Sequence, residues 1–270
     1  MAKNTQRGAS GAAEHVDYLL RLGDNALVHG QRLAEWCGHG PVLEEDIALT
    51  NIALDLIGQA RLLLSHAGRI EGRQRDEDSL AYLRDTREFR NFTMLELPHS
   101  GVTSAGAMEP DYAFTIVRNF LFGAYQCELW TKLSASGDSE LAAIAAKSLK
   151  EARYHLAHAQ DWLLRFGDGT EESHARAQTA LNALWPYANE WFAADCIEDA
   201  VSERGIGVSG AALHAPWLQL VTSTVAEATL AVPGNSAFVS SGRLGLHSEH
   251  LDYLLTEMQS LHRAHPGAQW

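Results

Sequence analysis

Residues 44–67 read EEDIALTNIALDLIGQARLLLSHA. Ile47, Ala48, Ile52, Leu54, Leu56, Ile57, Ala60, Leu63 and Leu64 recur at three- and four-residue steps, the period of an α-helix. Apolar positions run nearly all the way round it, which predicts a helix buried on several sides. Upstream, from about Glu14 to Cys37, Leu19, Leu20, Leu22, Ala26, Leu27, Leu33 and Trp36 repeat the same period, and Gly38, Gly40 and Pro41 stop it. So short a connection makes the two helices antiparallel neighbours. Residues 1–13 have no apolar stretch and read as a flexible polar arm, not a signal peptide.

Downstream, residues 69–88 are highly charged but keep Leu80 and Leu83, with Phe89 beyond them, which fits one or two short peripheral helices. The stretch 97–110, LPHSGVTSAGAMEP, reads as a loop. A third long helix is expected from about Asp111 to Ser134, with Pro110 in its first turn. A fourth is expected from a Ser139 cap to Phe166, ended by Gly167. A fifth covers about Glu172 to Ala194, with Pro186 as a kink or break. Further helices are expected at about 211–230 and 248–265, the last one capped by Ser248, with loops around Gly205–Gly210 and over 231–245. No strand-like alternation competes with this pattern. The expected fold is all-α: a four-helix bundle with additional peripheral and C-terminal helices, in one domain over 14–270.

Composition narrows the function. The chain has 270 residues, 46% hydrophobic and 20% charged, which is ample for a folded core. With no uninterrupted apolar run of 18 residues and no signal peptide, the sequence gives no membrane span and points to the cytoplasm. A formal net charge of −13 opposes nucleic acid at long range and gives no attraction to anionic lipid. Cys37, Cys127 and Cys196 are far apart, so they read as small buried hydrophobes and not as a disulfide framework. No phosphate-loop glycine motif and no G-x-S-x-G elbow occurs.

Long helices with acids and histidines raise the question of a carboxylate-bridged di-iron centre. Such a bundle takes one Glu from each of two helices and a Glu-x-x-His from each of the other two. Three-residue spacing puts both side chains on one face. On the fourth helix, KEARYHLAH (150–158) places Glu151 four residues before His155, and the residue three before it is Ala152. On the second helix Asp55 is followed three residues later by Gly58, which has no ligating atom. Asp55 lies among leucines and calls for a partner: Gln59, Arg61, Lys147, Lys150 or Arg153, or else a polar stripe facing water. Asp24, Asn25, Glu35 and Glu128 lack a histidine at the needed spacing. The cluster His247, Glu249 and His250 reads as a loop-to-helix junction. The sequence therefore predicts no metal, cofactor or catalytic residues in this chain. An active di-iron enzyme with atypical ligands Asp55, Glu128, Glu151 and His155 is the alternative.

Long strings carry a family resemblance: LRLGDNALVHGQRLAEWCGHGPVLEEDIALTNIALDLIGQARLLL (20–64), SLAYLRD (79–85), IAAKSLKEARYHLAHAQDWLLRFGDGT (144–170), LNALWPYANEWF (181–192) and GRLGLHSEHLDYLLTEMQSLHRAHPGAQW (242–270). They resemble the non-catalytic, ferritin-like structural subunit of bacterial phenylacetyl-CoA epoxidases, relatives of the multicomponent monooxygenases. The resemblance implies a ferritin-like fold and a complex that epoxidises the ring of phenylacetyl-CoA in aerobic phenylacetate degradation. It implies as partners a catalytic di-iron oxygenase subunit, a small subunit, and a reductase carrying FAD and an iron–sulfur centre and using NADPH. Alone, such a chain is expected to form a homodimer. In this light Asp55, Gly58, Ala152 and His155 look like eroded di-iron positions. A structural partner should bury roughly 2,000 Å² or more. Trp36, Trp130, Trp191 and Trp270 are the candidate anchors, and Arg243 in the GRLGLH loop is a candidate contact to an anionic CoA or a partner.

Overall fold

The structure, a computed structural model, describes residues 2–99 and 110–268, with side chains from residue 11 onward. Its helices are α1 (Ala2–Ala34), α2 (Leu43–Glu71), α3 (Glu77–Tyr82), α4 (Thr93–Glu96), α5 (Tyr112–Leu133), α6 (Ser139–Asp168), α7 (Glu171–Leu184), α8 (Asn189–Phe192), α9 (Cys196–Glu203), α10 (Ala211–Glu227) and α11 (Glu249–Ala264). Short 3-10 turns occur at Thr86–Glu88, Trp185–Ala188 and Gly242–Leu244. No strand occurs among the described residues. The all-α, ferritin-like class read from the sequence holds. The expected loop at 97–110 lies largely outside the described residues, as does Trp270.

By its internal packing the chain divides into two compact units. One comprises Met1–Glu96, Cys196–Gly207 and Ser241–Trp270, the other Leu97–Asp195 and Val208–Ser240. Each is woven from separated segments, so no linker composition marks a boundary.

In the first unit α1 and α2 form a long antiparallel pair. A Cβ on Gly23 would touch Leu64, and one on Gly30 would touch Leu56 and the Ala53 carbonyl, so the pairing runs in opposite directions. Leu19, Leu27 and Leu33 of α1, Leu49, Ile52, Leu56 and Leu63 of α2, and Trp36 just past α1 are buried. The first helix takes in most of the stretch expected to be a polar arm. Alanines at 9, 12 and 13 favour helix, and Arg204, just past the end of α9, holds this end by donating to the Gly11 carbonyl and pairing with Glu14 at 3.6 Å.

The second helix departs from the expectation of burial on several sides. Leu43 is 71% exposed, Ile47 53%, Leu54 60% and Leu62 38%. It packs well on one side and leaves an apolar face open. It is also the described helix long and apolar enough to cross a membrane by length and composition, with mean hydropathy 1.4 over its best 18 residues, although no uninterrupted apolar run of that length exists.

In the second unit α5 and α6 form the other long pair, joined by the 134–138 turn. The cap of α6 is Asp138, not Ser139: its carboxylate accepts from the Glu140 and Leu141 amides at 2.9 and 3.1 Å. Asp138→Ala should cost about 0.5–2 kcal/mol, read as a lower denaturation midpoint at unchanged slope. Similarly Asp111, not Pro110, opens α5, accepting from the Ala113 amide at 2.8 Å. Gly167 lies inside α6 and does not end it. A Cβ there would sit 1.8 Å from the Ala228 carbonyl oxygen, so the glycine serves a close crossing. Pro186 does break the fifth long segment, into α7, a 3-10 turn and α8.

Three of the tryptophans expected at an interface are core residues. Trp191 and Trp130 are fully buried and Trp36 nearly so. Trp191 packs against Tyr125, Phe122 and Trp217 with ring centroids 5.3–5.9 Å apart. Helical periodicity cannot tell a core aromatic from an anchor on an outer face. The cysteine expectation also needs correction: Cys37 and Cys196 are exposed, while burial pushes the half-buried Cys127 thiol up to about 11.

Candidate functional site

The positions singled out for metal chemistry fall on both long pairs. On α2, Asp55 is half-buried and Gln59 fully buried. Gly58 is half-buried, and a Cβ there would meet nothing within 4 Å, so tight packing is not what keeps it a glycine. Arg61, considered as a partner for Asp55, pairs with Glu77 at 3.3 Å instead. On α6, Ala152 and His155 are buried. Glu151 pairs with Lys147 one turn away at 3.2 Å. Glu128 on α5 is half-buried.

The ferritin-like class implies a carboxylate-bridged iron pair, and these residues do not fit one. Such a pair needs an acid three residues before each histidine. Buried Ala152 precedes His155 at that spacing, Gly58 follows Asp55 with no ligating atom, and Glu151 is engaged by a lysine. No chemical step is assigned to these positions.

The elaborate polar chemistry lies elsewhere in the first unit. Asp24 of α1 is fully buried and takes a two-pronged contact from Arg84: Nη1 donates at 3.0 Å and Nη2 donates to the other oxygen. It also accepts the Arg90 amide at 2.8 Å. The Arg84 guanidinium lies 4.3 Å above the Phe89 ring. Next in the chain, Asn25 accepts the Phe92 amide at 2.7 Å. Two adjacent side chains of α1 thus fix the irregular segment 84–92, whose backbone cannot satisfy itself through a helix.

Glu96, also fully buried, closes the other end of that segment. One carboxylate oxygen accepts His247 Nδ1 and Asn91 Nδ2, both at 2.8 Å, and the other accepts the Ser248 amide at 2.6 Å. His247 Nε2 faces the Phe89 carbonyl at 3.0 Å. Burial opposes charge on His247, but Glu96 and that carbonyl outweigh it and hold the imidazole above its ordinary pKa. Arg32 donates to the Glu96 carbonyl at 2.9 Å and to the His250 carbonyl at 3.0 Å. Ser248 stands at the N-cap of α11 but makes no side-chain cap bond; its amide binds Glu96 instead. His247 is therefore a structural clasp, and its neighbours Glu249 and His250 form no cluster with it for a metal. Sequence spacing could not show this, because Glu96 and His247 are 151 residues apart.

Beside this clasp a cavity of about 1000 Å³ opens between the Asp85–Glu88 turn and α11, lined by Arg87, Leu246, Glu249, Asp252, Thr256 and Arg263 among others. Arg263 is held by the Tyr82 and Arg84 carbonyls and by Asp85. Arg243, weighed as a contact to an anionic CoA or a partner and otherwise as part of an ordinary surface loop, is buried and donates to Glu198 at 3.2 Å. In the first unit the structure thus brings together groups that hold segments in place.

Comparison with known proteins covers the whole chain. The model of a family described as phenylacetic acid catabolic protein matches residues 1–270. An Escherichia coli K12 protein named as a subunit of 1,2-phenylacetyl-CoA epoxidase is 48% identical over 253 residues, which is 94% of this chain and 98% of that protein.

Proposed function

Because the chain belongs to the phenylacetic acid catabolic protein family, we propose that it is the structural, non-catalytic subunit of a multicomponent phenylacetyl-CoA epoxidase. The carrying observation is the pairing of that likeness with helices whose would-be ligand positions hold Gly58 and Ala152. A cytoplasmic location accompanies this reading. The di-iron centre that activates oxygen then belongs to a catalytic oxygenase subunit, and FAD, the iron–sulfur group and NADPH belong to a reductase. The assembly is completed by a small subunit.

On this reading the chain's own residues provide rigidity. A ligand cluster kept without its metal would leave buried charges facing one another, at a cost of several kcal/mol. Glycine and alanine at those positions remove that cost and leave the helices packed. The two-pronged Asp24–Arg84 contact and the Glu96–His247 clasp fix the segments around α1 and α2. The surface offered to a partner is then preorganised, and little ordering entropy is lost on assembly.

Two measurements test this. The chain should co-purify with the oxygenase subunit when both are expressed, and after separation it should carry no stoichiometric iron. Ferrous iron added to the purified chain should leave its melting temperature unchanged, since a ligand that binds only the folded state must raise it. A saturable rise at one or two irons per chain, lost on changing Glu128, Glu151 or His155, would instead make it an active enzyme with atypical ligands.

A further inference from the structure

The outer face of α6 has a charge pattern of its own. The chain carries a net −13 and only four lysines, of which two, Lys147 and Lys150, stand on this helix. They share an exposed face with Arg153 and Tyr154, and exposed alanines at 143, 146 and 157 fill the positions around them. At about 100° per residue these positions fall within a stripe about a third of the circumference wide. It runs about 21 Å along the axis at about 1.5 Å per residue. Asp161, one turn beyond Ala157, ends the cationic stretch. Elsewhere on the chain, exposed arginines such as Arg61, Arg73, Arg176 and Arg263 each pair with a carboxylate. Lys147 pairs with the half-buried Glu151 at 3.2 Å, but Lys150 and Arg153 hold no ion pair among the described residues.

We propose that this face is an electrostatic docking surface for an acidic protein that binds and leaves, the occupant being the reductase of the proposed assembly. Two uncompensated cations on one face of a strongly acidic chain attract an acidic surface to that face, while the rest of the chain repels it. The composition also selects a transient contact. Lysine and alanine are depleted at the centre of stable interfaces, and the stripe offers one large side chain as an anchor, Tyr154, at 56% exposed. It fits a small, wet encounter of under about 1,200 Å², the class to which electron-transfer contacts belong. An electron carrier must arrive and depart in each cycle, whereas the oxygenase subunit is a lasting partner. The choice of occupant therefore rests on the proposed subunit role.

An anionic lipid surface fits the same stripe poorly, because Tyr154 is its one large side chain available for insertion and the chain's net charge opposes approach.

The test uses the reconstituted assembly, with reductase titrated against it and NADPH-dependent epoxidation measured. The double variant Lys150→Glu, Arg153→Glu should raise the reductase concentration giving half-maximal rate at least about tenfold. The rate at saturating reductase, co-purification with the oxygenase subunit, and the melting temperature should stay unchanged. Lys150→Arg, Arg153→Lys should behave as wild type. For the wild type the half-maximal concentration should rise between about 50 and 300 mM salt, and for the charge-reversed variant this dependence should be weaker. A half-maximal concentration indifferent to the charge reversal, with co-purification retained, overturns the docking surface alone. A wild-type chain that does not co-purify with the oxygenase subunit overturns the subunit role and this occupant with it. Binding of phosphatidylglycerol vesicles by the wild type but not by the charge-reversed variant, with the reductase titration unchanged, would assign the face to a membrane and overturn the proposal.

Discussion

Arg84→Met should destabilise the protein by about 3–5 kcal/mol, the usual cost of stranding one charge of a buried pair. Asp24 is fully buried and Arg84 nearly so, so water cannot replace the lost donor. The Arg90 amide would remain as a donor to Asp24, but the charge would have no counter-ion within that contact. The loss is compounded because Arg84 also donates to the Leu80 and Glu88 carbonyls and packs over Phe89. For a chain of this size the melting temperature should fall by about 6–20 °C. Asp24→Asn should cost less, since an amide keeps one acceptor for the Arg90 amide. Combining Asp24→Asn with Arg84→Met should recover part of the loss, because the two residues share one interaction. A single-variant cost below about 1 kcal/mol would show that the pair contributes nothing net.

Glu96→Ala should be comparably severe, at about 3 kcal/mol or more, because it orphans several buried donors at once: the Ser248 amide, His247 Nδ1 and Asn91 Nδ2. This clasp also gives stability a definite pH dependence. The His247 pKa is raised above its ordinary value of 6.5 when folded. A raised pKa means the folded state binds the proton more tightly than the unfolded chain does. The clasp's contribution is therefore complete below pH 6.5 and is lost as pH rises through the raised folded value. Urea unfolding across that window should show stability falling with pH. His247→Phe should flatten this part of the profile and lower stability at pH 6 more than at pH 9. A wild-type profile that rises with pH through the same window would mean the imidazole is neutral in the fold.

The two variants probe the same irregular segment from its two ends. Residues 84–92 carry little regular structure, and backbone groups among them are satisfied by side chains of α1 and by His247, just ahead of α11. Both substitutions should therefore expose this segment first, as faster amide exchange at Arg90 and Phe92 before the α1–α2 pair opens.

Much of the helix inventory was legible in the sequence because helical periodicity is a local signal. The pattern over 44–67 located α2 to within a few residues, Pro186 marked a real break, and the absence of a ligating atom at Gly58 and Ala152 needed no coordinates. The short helices α4 and α9 were missed, since one or two turns carry too few periods to register. Caps were misplaced by one residue at Asp111 and Asp138, where several capping-competent or turn residues stand side by side and only backbone geometry selects one.

What the sequence alone determined is the all-α class, the run of long helices and the family, because each is written in local periods or in long matching strings. The tertiary structure alone decided which apolar residues are core and which are surface. Trp191 and Leu54 look alike to a periodicity argument, yet one is sealed and the other open. It alone also found the partners of Asp24 and Glu96, which lie 60 and 151 residues away along the chain. Burial and ion pairing depend on what another segment brings alongside, and a one-dimensional pattern holds no record of that.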